Sequence, residues 1–289
     1  WNYEVVHAHG TLAIDDDEAL RVRFGDDFRR VSAVYAGPVA ALSEGATCRT
    51  PFGVERHGIG YGQPTAHPLA GASLKQVHDY PWPDPARMDV SGVRAAAEAF
   101  GRQYAVLGGD WSPFWHDAID LLGMEELFLR MYDAPEVVDA VMGHLVDYYA
   151  AVSQRTFDAA ADAIDIFFIG NDLGSQTGPL LSPKLFERFV LGHLARLIDL
   201  GHAYGLKVML HCCGGFAPLI DSMIRAGLDG LHAIQPSCAG MDLARLKAEF
   251  GRRILFNGCI DSHHVLIEAA PQTVRQRTRE VLEIMMPGG

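Results

Sequence analysis

The segment "KVMLHCCGGF" (207–216) sets a histidine and two adjacent cysteines where an apolar run gives way to glycines. Imidazole nitrogen and thiolate sulfur are the donors that hold zinc. Successive side chains alternate in extended backbone, so His211 and Cys213 point one way and Cys212 the other. A His and a Cys two residues apart at a strand end can reach one Zn²⁺, at about 2.0 and 2.3 Å. A catalytic zinc takes three protein ligands and keeps one position open. Cys259, directly behind Gly258, is the preferred third ligand, because Cys238 lies farther out behind Pro236. The competing reading is packing, since free cysteine is among the most buried residue types. Cys48 and Cys212 read as structural.

Other polar groups follow apolar runs in the same way. Asp172, in "FFIGNDLG", is either a catalytic acid/base or substrate acceptor, or a cap on the backbone N–H groups of Gly174 or Ser175. Asp110 is the second catalytic candidate. With Trp111, Trp115 and His116 in "GGDWSPFWHD" it can wall a pocket for a flat or apolar ligand, or the aromatic rings can simply pack the rim. Asp261 either orients His211, as carboxylates do for metal-bound imidazoles, or caps its own turn. His263 and His264 read as exposed.

These residues need a scaffold that gathers loop tips. Short β-rich runs at 104–109, 164–170, 207–211, 230–234 and 253–258 alternate with amphipathic segments, the pattern of a parallel sheet with crossover helices. Helices are expected at about 90–101 and 135–160, and in "SPKLFERFVLGHLARLIDLGHAYG", "FAPLIDSMIRAG", "MDLARLKAEFG" and "PQTVRQRTREVLEIM". Ser182 and Asp242 suit N-caps, Pro183 a first helical position and Gly205 a C-cap. The Gly- and Pro-rich stretch from "GPVAALSEG" to "HPLAG" reads as an irregular N-terminal extension over one face. No G-x-G-x-x-G or G-x-x-x-x-G-K-[ST] loop marks a nucleotide-binding open sheet. The expected fold is therefore α/β, a (β/α)₈ TIM-type barrel forming one domain over 1–289, with its site on the loops that follow the strands.

At 289 residues and 49% hydrophobic the chain can bury a large core. Its 24 Lys and Arg against 36 Asp and Glu give a formal charge of −12, so no nucleic-acid or anionic-membrane partner is expected. No run is long enough to span a bilayer, and "WNYEVVHAHG" lacks the features of a signal peptide, so a cytoplasmic protein is expected. Five cysteines fit thiols or a metal site better than a disulfide framework. Both ends look incomplete, with no initial Met and a close at "MMPGG".

Together "DLGSQTGPLLSP", "GLKVMLHCCG", "AIQPSCAGMDLARLKAEFG", "FNGCID", the C-terminal "PQTVRQRTREVLEIMMPGG" and "HPLAGASLKQVHDYPWPDP" resemble the uroporphyrinogen decarboxylase superfamily. The resemblance runs from about residue 50 to the end and implies a (β/α)₈ barrel. One branch of that superfamily decarboxylates porphyrinogens without metal, using a mouth aspartate and carboxylate-binding arginines. The other comprises cobamide-dependent methyltransferases, in which a zinc on a His-x-Cys pair and a further Cys activates a thiol. His211 and Cys213 match the pair, and the Arg- and Gln-rich N-terminal signature of the decarboxylases has no counterpart. The resemblance thus favours a methyltransferase using Zn²⁺, a small-molecule substrate and a cobamide supplied by a corrinoid protein; a metal-free decarboxylase, with Asp172 or Asp110 handling protons, is the alternative. The third Cys usually lies beyond the last helix, where this sequence stops, so either that ligand lies outside the sequence or Cys259 replaces it, at a position where relatives usually carry Gly or Asn. Gln235, placed after a strand where the related methionine synthases carry an acidic ligand, is the other substitute, and otherwise a substrate-binding side chain. Relatives on both branches include dimers, so a homodimer is also an expectation.

Overall fold

Six segments lie side by side in one parallel sheet, in the order in which they occur along the chain. The structure is a computed structural model and describes residues 17–38, 41–58 and 62–288. The strands are β1 (Phe28–Arg30), β2 (Ala105–Gly108), β3 (Ile166–Gly170), β4 (Lys207–His211), β5 (Gly230–Ile234) and β6 (Leu255–Gly258). All five expected runs are strands. The sixth, β1, precedes the Gly- and Pro-rich stretch and is not among the expected strands, because three residues with two arginines offer no apolar run to detect. The opening "WNYEVVHAHG" and parts of the Gly- and Pro-rich extension lie outside the described residues.

Helices α1 (Asp17–Phe24), α2 (Val93–Phe100), α3 (Phe114–Leu122), α4 (Met124–Asp133), α5 (Pro135–Ala160), α6 (183–203), α7 (Ala217–Arg225), α8 (Leu243–Phe250) and α9 (Pro271–Met285) connect or flank them. The caps act as their types dictate. Ser182 Oγ accepts from Leu185 N–H, Asp242 Oδ1 accepts from Arg245 N–H at 2.8 Å, and Gly205 takes a left-handed φ of 77° after α6. Within α6 one wider π-type turn spans Glu187–Leu191. Helices α1, α3 and α4 go beyond the sequence expectation, which places "DWSPFWHD" on the loop after a strand. Trp115 and His116 therefore stand on the first turn of a helix.

The expected β–α alternation is present as a curled, six-stranded parallel sheet with helices outside. Closure by eight strands is not seen among the described residues, where the sheet ends at β1 and β6. Outward side chains such as Val106, Phe167, Ile169, Val208, Leu210, Leu231 and Ile234 join the buried stripes of the helices in one core. Inward side chains, among them Leu107, Phe168, Met209, His232 and Asn257, line an interior cavity of about 180 Å³. Apart from Ile234, which follows a register shift in β5, both sets follow from the two-residue period of a strand.

The extension packs on helices rather than standing free. Phe52 meets the rings of Tyr148 and Tyr149 edge-on, at 5.2 and 5.7 Å between centroids. Arg56, in a small antiparallel sheet, forms an ion pair with Asp120 of α3. No helix among the described residues is long and apolar enough to cross a membrane.

Candidate functional site

At the end of β4 the alternation sorts the three polar side chains. Cys212 is fully buried in the outer core, where its Sγ accepts from Leu173 N–H. His211 and Cys213 turn together to the other side, with His211 Nε2 3.4 Å from Cys213 Sγ. Asp172, at the end of β3, completes a group. Its Oδ1 is 3.5 Å from His211 Nε2 and accepts the Cys213 N–H at 2.8 Å. One donor atom from each of Asp172, His211 and Cys213 lies within 4.8 Å of the others.

Glycines allow this approach. The loops after β3 and β4 touch through their backbones, and a Cβ on Gly214 would lie 2.3 Å from Gly174 C. Gly214 also has a φ of 89°, a conformation side-chain-bearing residues avoid. The "GG" of "HCCGG" thus lets the two loops close and carries Asp172 to Cys213. Gly170 does the same for Trp111, whose ring occupies the space a Cβ would need.

Neighbouring groups hold the three in place. His116 Nε2 is 3.4 Å from Asp172 Oδ2, while its Nδ1 is buried without a hydrogen-bond partner. His211 Nδ1 is 2.7 Å from Nδ1 of His232 on β5. Trp111 leans on His211, with ring centroids 5.2 Å apart, and the Arg30 guanidinium of β1 lies over the Trp111 ring, 5.0 Å from its centre. Asn171 is 1% exposed and ties three elements. Its N–H donates to His211 O, its Oδ1 accepts from Trp115 N–H at the start of α3, and its amide donates to Ser112 O. Asn171 and His232 were not legible in the sequence. The available signal was that each sits at an inward or terminal position of an otherwise apolar strand.

The charge distribution asks for a cation. Burial opposes ionisation of Asp172, but hydrogen bonds from His116, His211 and the Cys213 N–H outweigh it and hold the carboxyl well below the usual range. Burial first, then the Asp172 charge, pushes the Cys213 thiol up to about 12. A thiol beside a carboxylate stays protonated until a metal ion offsets the repulsion. The geometry fits one: ligands about 2.0–2.3 Å from a tetrahedral zinc stand about 3.3–3.7 Å apart. The 3.4 and 3.5 Å separations around His211 Nε2 match that spacing. Carboxylate, imidazole and thiolate are all zinc donors.

The remaining sequence candidates are placed differently. Cys259 is outside the group, buried in the outer core. Gly258 and Cys259 have φ of 99° and 72°, so the chain turns at the strand end. Burial pushes the Cys259 thiol up to about 11, against the pull of Lys247 on α8. Gln235 Oε1 accepts from Gly214 N–H at 2.8 Å and thereby braces the loop beyond Cys213. Asp261 caps its own turn, accepting from His263 and His264 N–H, and is not hydrogen-bonded to His211 in this arrangement. Asp110 is half-buried, its Oδ1 accepting from Ser112 N–H, and burial pushes its carboxyl up. Trp115 is fully buried against Phe128, behind the site.

Residues 53–289 match the family model of uroporphyrinogen decarboxylase (URO-D). The uroporphyrinogen decarboxylase of Hydrogenovibrio crunogenus is 25% identical over 162 residues, covering 53% of this chain and 40% of that protein. That of Magnetococcus marinus is 24% identical over 161 residues, covering 54% and 42%. The chain thus spans about two fifths of the length of these curated relatives. A solved methyltransferase from Methanosarcina mazei superposes with a TM-score of 0.65 at 18% identity, over 94% of this chain and 74% of that one.

Proposed function

We propose that this chain, which belongs to the uroporphyrinogen decarboxylase family, is a zinc-dependent methyltransferase of that family. On this reading it passes a methyl group between a corrinoid carrier protein and a small thiol or other nucleophile. The observation that carries the reading is the convergence of Asp172, His211 and Cys213 from two strand ends. The fold of the Methanosarcina mazei methyltransferase supports it. The same reading takes the six strands as part of a (β/α)₈ barrel.

Asp172, His211 and Cys213 would hold Zn²⁺. The ion, when bound, supplies a Lewis acid that lowers the pKa of a thiol or other nucleophile in its open position. The protein's own residues supply the rest. His116 braces the outer oxygen of Asp172, so that Oδ1 stays turned toward His211 and Cys213. Trp111, seated on Gly170 and beside His211, forms an aromatic wall that excludes water and can stack a flat substrate. Arg30, over the Trp111 ring, adds a positive charge beside the site.

The competing reading is metal-free decarboxylation, favoured by the curated relatives, with Asp172 or Asp110 handling the proton. Elemental analysis of the reduced protein separates the two. About one zinc per chain, lost in Cys213→Ser, is the expected result. A zinc-free protein whose turnover survives chelation would support decarboxylation instead.

A further inference from the structure

His211 and His232 face each other across adjacent parallel strands, paired in register, with their Nδ1 atoms 2.7 Å apart. Two imidazole nitrogens at that distance share one proton, since both cannot donate and both cannot accept. The rings are 5.0 Å apart and tilted by 37°, and the Phe168 ring stands perpendicular to His232, with centroids 5.2 Å apart. His232 is therefore clamped between a ring and a hydrogen bond.

The backbone is distorted to put it there. The pairing of β5 with β6 shifts register between Leu231 and Ile234, and Ala233 takes a φ of 65°. A bulge of this kind re-aims a side chain. Strict alternation would turn His232 and Ile234 to the same face. Instead His232 lines the interior cavity while Ile234 lies in the outer core with Leu231. A left-handed alanine is a strained conformation, and such strain persists where the surroundings enforce it.

We infer that His232 is the positioning residue of His211, the shared Nδ1 proton fixing that ring with Nε2 facing Cys213 and Asp172. The inference rests on the proposed zinc reading only for its purpose; the pairing itself belongs to the metal-free chain. With Nε2 engaged by a metal, His211 carries its proton on Nδ1, and His232 accepts it. A partner on the second nitrogen fixes the tautomer of a ligating imidazole.

The test compares His232→Leu, which removes the partner, with His232→Asn, whose amide places a donor or acceptor at the Nδ1 position. The first readout is metal-free: a protected imidazole N–H resonance in ¹⁵N-histidine-labelled protein, present in wild type and absent in both His211→Ala and His232→Leu. The second is zinc affinity by chelator competition. The expected loss is about 10–100-fold in His232→Leu, with recovery in His232→Asn, as for other partners of ligating histidines. No shared-proton resonance in the wild type would overturn the inference, as would wild-type zinc affinity in a folded His232→Leu. A wild type that takes no zinc but shows the resonance would overturn the zinc reading and leave the pairing standing.

Discussion

The carboxylate of Asp172 accepts the backbone N–H of Cys213 at 2.8 Å and lies beside the thiol of the same residue. One acidic side chain thus fixes the loop after the neighbouring strand and sets the charge felt by its sulfur. Asp172→Asn keeps an acceptor for the N–H and removes the charge. Zinc affinity should fall more than about tenfold while the fold is retained, because a ligand is weakened rather than a packing contact. Chelator competition beside a circular-dichroism melt checks both halves. An unchanged affinity would remove Asp172 from the ligand set.

Cys213 and Cys259 make opposite predictions. Cys213→Ser should abolish zinc, since its sulfur is in the group. Cys259→Ser should leave zinc content at wild-type level and lower the melting temperature, because it puts a hydroxyl into a buried apolar site. Metal analysis of the two purified variants decides. Zinc lost from Cys259→Ser would restore that residue as the third ligand.

Gly214→Ala attacks the scaffold instead of the donors. The new Cβ would sit 2.3 Å from Gly174 C, at a φ that costs about 1–3 kcal/mol for a non-glycine residue. The loops must part, which pulls Asp172 from Cys213. Loss of zinc together with a lower melting temperature is expected. A variant with both values unchanged would mean that the close backbone contact is not needed.

Asp117, on α3 behind the site, predicts a pH dependence. Burial pushes its carboxyl up to about 7, although the Tyr149 hydroxyl donates to it. The folded protein holds this proton to about pH 7, whereas the unfolded chain releases it near pH 4. Its contribution is therefore complete below about pH 4 and is lost as the pH rises through about 7. Asp117→Asn should be more stable than wild type at pH 8, with a difference that shrinks toward pH 5. Melting temperatures of both proteins over that range measure it, and parallel curves would refute it.

The strands from β2 to β6, the helices α2 and α5 to α9 and the split of His211 and Cys213 from Cys212 are legible in the sequence. Each rests on a short-range rule: an apolar run, a cap, or the two-residue alternation of extended backbone. The tertiary structure alone decided which donors meet. Asp172 reaches Cys213 because Gly174 and Gly214 let two loops touch, and His232 meets His211 through strand register and a bulge. Cys259, the nearest thiol by sequence logic, lies in the outer core because two left-handed residues turn the chain at the end of β6. Local spacing fixes the direction of a side chain along its own strand. The distance between strand ends is set by inter-strand register and backbone contact, which depend on residues far apart in the chain.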